Sequence, residues 1–187
     1  KLLGVLPPDS QEFVGDNVLG DVQEFDASKH YVREFLLRGF SGSAQPLPLA
    51  LTLDLAHNVL VSVSQVTSTS TGGEPIRSGA IERFTSAGGA LSDLPVLVTT
   101  AGADPPTDMT TLADGTMQWS MTNSGSSFSG SVGIASIAAD GHATRVILNG
   151  VLTPGSSERL PMDCAGRVFV AESADHRYLI ERLSTEV

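Results

Sequence analysis

Three stretches of this chain carry the same order of signals. "PLALTLDLAHNVLVSVSQ" from Pro48, "PTDMTTLADGTMQWSMTN" from Pro106 and "PGSSERLPMDCAGRVFVAES" from Pro154 each run from a proline through a short strand-like segment, a turn and a second alternating segment. The turns fall at Asp54 to Asn58, at Asp114-Gly115 and at Asp163 to Gly166. Asp-Gly between alternating segments is the strongest short hairpin signal, because Gly adopts positive φ at little cost and Asp bonds its own backbone. A further strand-like element follows each hairpin: "SGAIERFTSAGG", "GSVGIASIAADG" and "RYLIERLSTEV". An earlier copy of that element stands near the start as "GDVQEFDASKHYVREFLL". Across the copies Val22, Ile81, Ile134 and Ile180 align.

A unit of about 45 to 60 residues built from four short strands is the signature of a β-propeller blade. One blade cannot bury both of its faces, so neighbouring blades must stack. The expected fold is therefore all-β, a propeller-like array of about four antiparallel blades, with a two-sheet β-sandwich as the alternative. A sandwich also alternates strands and turns, but it need not repeat. Only His30 to Phe40 hints at helical spacing, and there Tyr31, Arg33, Phe35 and Leu37 alternate with Val32, Glu34, Leu36 and Arg38, as in a strand. Residues 1–187 read as one domain without a linker. Its inner strands should begin near Leu49, Asp108 and Ser156, and its outer strands should contain Ile81, Ile134 and Ile180. The expected core is Leu51, Leu53, Val59, Val61, Met109, Met117, Trp119, Phe169 and Ile180.

Composition narrows the chemistry. The chain is 41% apolar and 17% charged, a balance that favours a packed core over disorder. Its 19 glycines and 10 prolines suit many short strands and turns. A net charge of −10, with no basic run, argues against nucleic acid and anionic membrane surfaces as partners. No apolar run reaches the roughly 18 residues of a membrane span. Low lysine content and Ser/Thr/Gly-rich loops suit an exported protein, so an extracellular or periplasmic setting is the expectation. Cys164 stands alone, which excludes an intramolecular disulfide and a cysteine-held zinc, and reads as a small core residue. His30, His57, His142 and His176 sit at turns or strand edges without metal spacing. Ser156-Ser157-Glu158 lacks a Gly-x-Ser-x-Gly elbow, and "GSSFSGSVG" lacks the strand–helix context of a phosphate cradle.

From about Pro46 to its end the chain resembles the SMP-30/gluconolactonase-like six-bladed propellers, relatives of the NHL-type propellers. "DPPTDMTTLADGTMQWSMT" with "GSVGIASIAADG" is similar to that family's Asn-Asp, Asp-x-x-Gly, Trp, Gly-Thr stretch and the outer strand after it. "LNGVLTPGSSERLPMDCAGRVFVAES" resembles its Pro-Asn-Gly blade. The resemblance implies a divalent metal, often calcium, in a central funnel, held by a Glu, two Asn and an Asp. Such a metal would polarise a lactone carbonyl or a water. The first Asn falls on Thr107, followed by Asp108, and the second on Gly155, followed by Ser156. Glu12 stands for the Glu, and the final Asp, the family's general base, finds no clear match.

Those departures point to a non-catalytic propeller module that contacts a protein partner or small molecule through blade loops or the funnel mouth. Thr107, Asp108, Gly155 and Ser156 would lie at that mouth, and no catalytic residue is assigned. The alternative is an SMP-30-like metal-dependent hydrolase (lactonase) with an altered site, whose calcium Asp108 and Glu12 would help to hold. About four blades are fewer than the family's six. Completion by another chain or segment is therefore expected, as a homo-oligomer or as part of a larger assembly.

Overall fold

The structure is a computed structural model that describes residues 11–16, 18–39, 45–69, 75–93, 106, 108–122, 132–138, 143–148, 163, 165, 167–174 and 177–183. Among the described residues there are strands and turns and no helix, so none is long and apolar enough to cross a membrane. The strands are β1 (Glu12–Asp16), β2 (Asp21–Phe25), β3 (Tyr31–Leu36), β4 (Leu47–Leu53), β5 (Val59–Thr69), β6 (Pro75–Phe84), β7 (Asp108–Thr111), β8 (Met117–Thr122), β9 (Val132–Ile137), β10 (Ala143–Leu148), β11 (Val168–Ala174) and β12 (Arg177–Leu183). They form four antiparallel sheets in chain order: β1-β2-β3, β4-β5-β6, β7-β8-β9-β10 and β11-β12. The protein is all-β, as its repeat requires.

One turn recurs along the chain, joining β2 to β3, β4 to β5 and β7 to β8 and closing the end of β6. At Asp26, Asp54, Thr85 and Leu112 the backbone N–H donates to the carbonyl four residues on, and the N–H three residues on donates back. The fourth residue of the turn has positive φ: Lys29 at 65°, His57 at 61°, Gly88 at 91° and Gly115 at 86°. Asp26, Asp54 and Asp163 each receive two backbone N–H groups on Oδ1, from the residues two and four places on. A short carboxylate thus replaces backbone partners that the turn cannot provide. The Asp-Gly signal at Asp114-Gly115 is one variant of this turn, with Gly115 at its positive-φ position.

The chain divides into two compact units, Lys1–Pro105 and Pro106–Val187. In the first, a core joins residues of the two three-stranded sheets: Phe13, Val22, Phe35 and Leu37 with Leu51, Val59, Val61, Val63 and Phe84. Phe35 makes an edge contact with Phe84 at 5.7 Å between ring centroids and a tilted one with Phe13 at 5.9 Å. Strand β5 is buried along both faces from Val59 to Gln65, with Val59, Val61 and Val63 in the core and Leu60, Ser62 and Ser64 on the other side. A strand buried on both faces is the interior of a stack, which is what blade packing demands. In the second unit Met109, Met117 and Trp119 are buried, and Met109 lies opposite Trp119 across β7 and β8.

The expected core residues Leu51, Val59, Val61, Met109, Met117 and Trp119 are buried, and Leu53 packs half-buried against the cluster. The side chains of Phe169 and Ile180 lie outside the described residues, as do Cys164, His142, His176 and Ser156. Strand β4 opens at Leu47 and β7 at Asp108, close to expectation. One expectation needs correction. Ile134 lies on β9, and β10 pairs along the far side of β9, so Ile134 is on the third strand of its sheet and not the outermost, whereas Ile81 lies on β6, the edge of the described sheet β4-β5-β6. The fourth strand, "ATRVIL", pairs antiparallel with the third, as β3 pairs with β2. Val22 lies on β2, the middle strand of the described sheet β1-β2-β3.

Candidate functional site

Asp108 opens β7, where its Cα partner is Ser120 on β8. Buried Pro106 stands two residues before it. The Asp108 side chain is half-buried, and its Oδ1 accepts the N–H of Met109 at 2.9 Å. That bond caps the strand entry, the role short acidic side chains take after prolines. Glu12 opens β1 in the other unit, opposite Phe25. Its Oε2 pairs with Lys29 Nζ at 2.5 Å, joining the strand to the turn between β2 and β3. Thr107, Gly155 and Ser156 lie outside the described residues.

The two described candidates for a divalent metal, Glu12 and Asp108, already have partners within their own units. A hard cation takes several oxygens at once, and here the Glu12 carboxylate is already neutralised by an ammonium. Asp108 holds a backbone N–H with Oδ1, Gly155 has no side chain, and Thr107 offers a hydroxyl where the family has an amide oxygen. Among the described residues no three His, Cys, Asp or Glu side chains gather as ligands.

The buried carboxylates are elsewhere. Glu82 on β6 is 1% exposed, and it receives the N–H of Arg38 at 2.9 Å and of Gly39 at 2.8 Å. The Arg38 side chain lies 3.5 Å from the same carboxylate and also meets Asp93, with its guanidinium 5.8 Å from the Phe84 ring centre. Glu24 on β2 is 2% exposed and faces Arg33 at 3.0 Å. Asp21, also 2% exposed, has no hydrogen-bond partner on Oδ1. Burial raises its pKa above the usual carboxylate value, helped by the charges of Asp16 and Glu34. Asp16, Asp26, Asp114 and Asp163 are shifted the other way, chiefly because backbone N–H groups hold their ionised forms. Sequence reasoning passed over Glu24 and Glu82. For Glu82 the one local sign was the "IERF" of β6, repeated as "IERL" in β12, a charged pair inside a strand pattern, whereas Glu24 in "DVQEF" carried none.

No family model matches the chain, and no curated protein does either. Solved structures do. One is a protein provisionally named a gluconolactonase, at 14% identity and a TM-score of 0.56, covering 98% of this chain and 59% of that protein. Another is the virginiamycin B lyase of Staphylococcus aureus, at 12% identity and a TM-score of 0.46, covering 97% of this chain and 66% of that one. The chain thus spans less than two thirds of either length. At such identity the first likeness shows the propeller fold alone.

Proposed function

We propose that this chain is a non-catalytic propeller module that contacts a protein or small-molecule partner through the blade ends around Thr107, Asp108, Gly155 and Ser156. The observation that carries this reading is how the described carboxylates are engaged. Asp26, Asp54 and Asp163 hold turns, Glu82 holds the Arg38–Gly39 backbone, and Glu12 holds Lys29. A metal ligand or general base needs an oxygen turned towards substrate, and Asp108 turns one to its own strand. The propeller fold hosts catalysts and binders alike, so the site decides between them. The module works within a larger assembly, because stacked blades bury both faces.

Thermal melting with and without calcium, zinc or manganese tests the reading. A metal bound only to the native state raises stability by about 2.7 kcal/mol at a hundredfold excess over its Kd. We expect no shift with any of the three ions. A rise with one of them, together with hydrolysis of a lactone, would establish the altered SMP-30-like hydrolase instead. Light scattering addresses assembly, and a stable monomer with every sheet edge covered would rule it out.

A further inference from the structure

In the first unit β3 is the edge of its sheet: among the described residues it pairs with β2 alone. Phe35 on β3 is buried in the core, and Arg33 beside it faces Glu24. The opposite face is open. Leu36 is 65% exposed, Glu34 is exposed, and Val32, the extra residue at a bulge in the β2–β3 pairing, is 41% exposed. At the same end, the turn between β1 and β2 holds out Val18 and Leu19, 81% and 60% exposed. This turn is pinned. Asp16 Oδ1 accepts both of their N–H groups, and Gln45 Nε2 donates to the Val18 carbonyl. Gly20, at φ +70°, has no room for a Cβ, which would meet Gln45 and the Pro46 carbonyl within 2.8 Å. Large aliphatic side chains held out by a fixed backbone lose little entropy on binding, which suits a recognition surface.

Charge selects the occupant. The cations near this strand already have carboxylate partners: Lys29 with Glu12, Arg33 with Glu24, and Arg38 with Glu82 and Asp93. Asp16 and Glu34 have no such counter-ion among the described pairs, so the surface is left negative. A second copy would bring the same sign to the same place.

We propose that the edge of β3 takes up an extended protein segment as an added strand. That segment carries Lys or Arg opposite Glu34, an aliphatic residue opposite Leu36 and a second aliphatic residue reaching Val32. Cross-strand pairs are the unit of recognition in such an addition, while backbone hydrogen bonds to the free edge hold the segment. This surface involves none of the residues assigned to the funnel mouth, so metal-dependent melting leaves it untouched.

The test is fluorescence anisotropy of the full chain with short labelled synthetic peptides. One has Leu-Thr-Lys-Thr-Leu at its centre, a second has Glu in place of the Lys, and a third has Pro in place of both Thr residues to remove backbone donors. The Lys peptide should bind on the order of tenfold more tightly than the Glu peptide, and the Pro peptide should not bind. Glu34→Lys should reverse the order of the first two, and Leu36→Gln should weaken both. Both positions are exposed, so melting temperatures should hold. Equal binding of the Lys and Glu peptides, no binding by either, or indifference to Glu34→Lys would overturn the proposal. So would self-association in sedimentation that Leu36→Gln abolishes while the peptides stay unbound, since the face would then join two copies.

Discussion

At the scale of single residues, the repeated turn sets its own rules. Its fourth position needs positive φ, and two copies fill it with Lys29 and His57 while two use glycine. A side chain in the left-handed region costs about 1–2 kcal/mol, partly offset by the chain entropy glycine adds to the unfolded state. His57 is exposed, so His57→Gly should stabilise the protein by up to about 1 kcal/mol in urea denaturation, whereas His57→Val should destabilise it. Asp21 predicts a pH dependence of opposite sign to that of the turn aspartates. Its folded pKa lies above the unfolded value near 3.8, so protonation favours the fold. The stability it contributes is present below the unfolded pKa and is lost as pH rises through the folded one. Asp21→Asn should therefore raise the urea midpoint at neutral pH, with the gain shrinking in acid. The turn carboxylates of Asp16, Asp26, Asp114 and Asp163, with lowered pKa values, stabilise above the unfolded value, and their contribution disappears as pH falls through the folded ones.

At the scale of elements, β6 fixes the loop that follows β3. Glu82 satisfies two backbone N–H groups there, and losing its carboxylate leaves both without this acceptor. Glu82→Ala should cost about 2–4 kcal/mol, and Glu82→Gln less, because the amide keeps one acceptor. Double mutation with Arg38→Ala should be less than additive in denaturation curves, since the two side chains lie in contact. Strand β8 offers a second test. Trp119 is fully buried, and its ring N–H finds no partner. Trp119→Ala should cost about 3–5 kcal/mol, whereas Trp119→Phe removes the orphan donor along with some volume and should cost less.

At the scale of the whole molecule, charge governs colloidal behaviour. With a net charge of −10 at neutral pH and a pI near 4.6, copies repel each other in neutral buffer and lose that repulsion in mild acid. Light scattering across that range should record association growing as pH approaches the pI. The same net charge is complementary to the basic segment proposed for the β3 edge. Binding of such a segment should weaken as salt rises, because the contact at Glu34 is exposed.

The sequence by itself determined the hairpins. An aspartate, a positive-φ residue and flanking alternation interact within five residues, so "DLAHN", "LADGT" and "DCAGR" declare their turns without help from the rest of the chain. Repetition of those turns then dictated antiparallel sheets that must stack. Tertiary structure alone decided what the strands bury. Glu82 reads as a surface charge in "AIERF", yet its partners arrive from 43 and 44 residues earlier, a separation at which no pattern of neighbours is informative. The same holds for β5, whose serines look solvent-facing in "VLVSVSQ" and are buried because the sheet is covered on both sides. Nothing around Glu12 in the sequence announces Lys29, which the turn between β2 and β3 brings against it. Local chemistry writes turns into a sequence, whereas burial and ion pairing depend on which distant segment packing brings alongside.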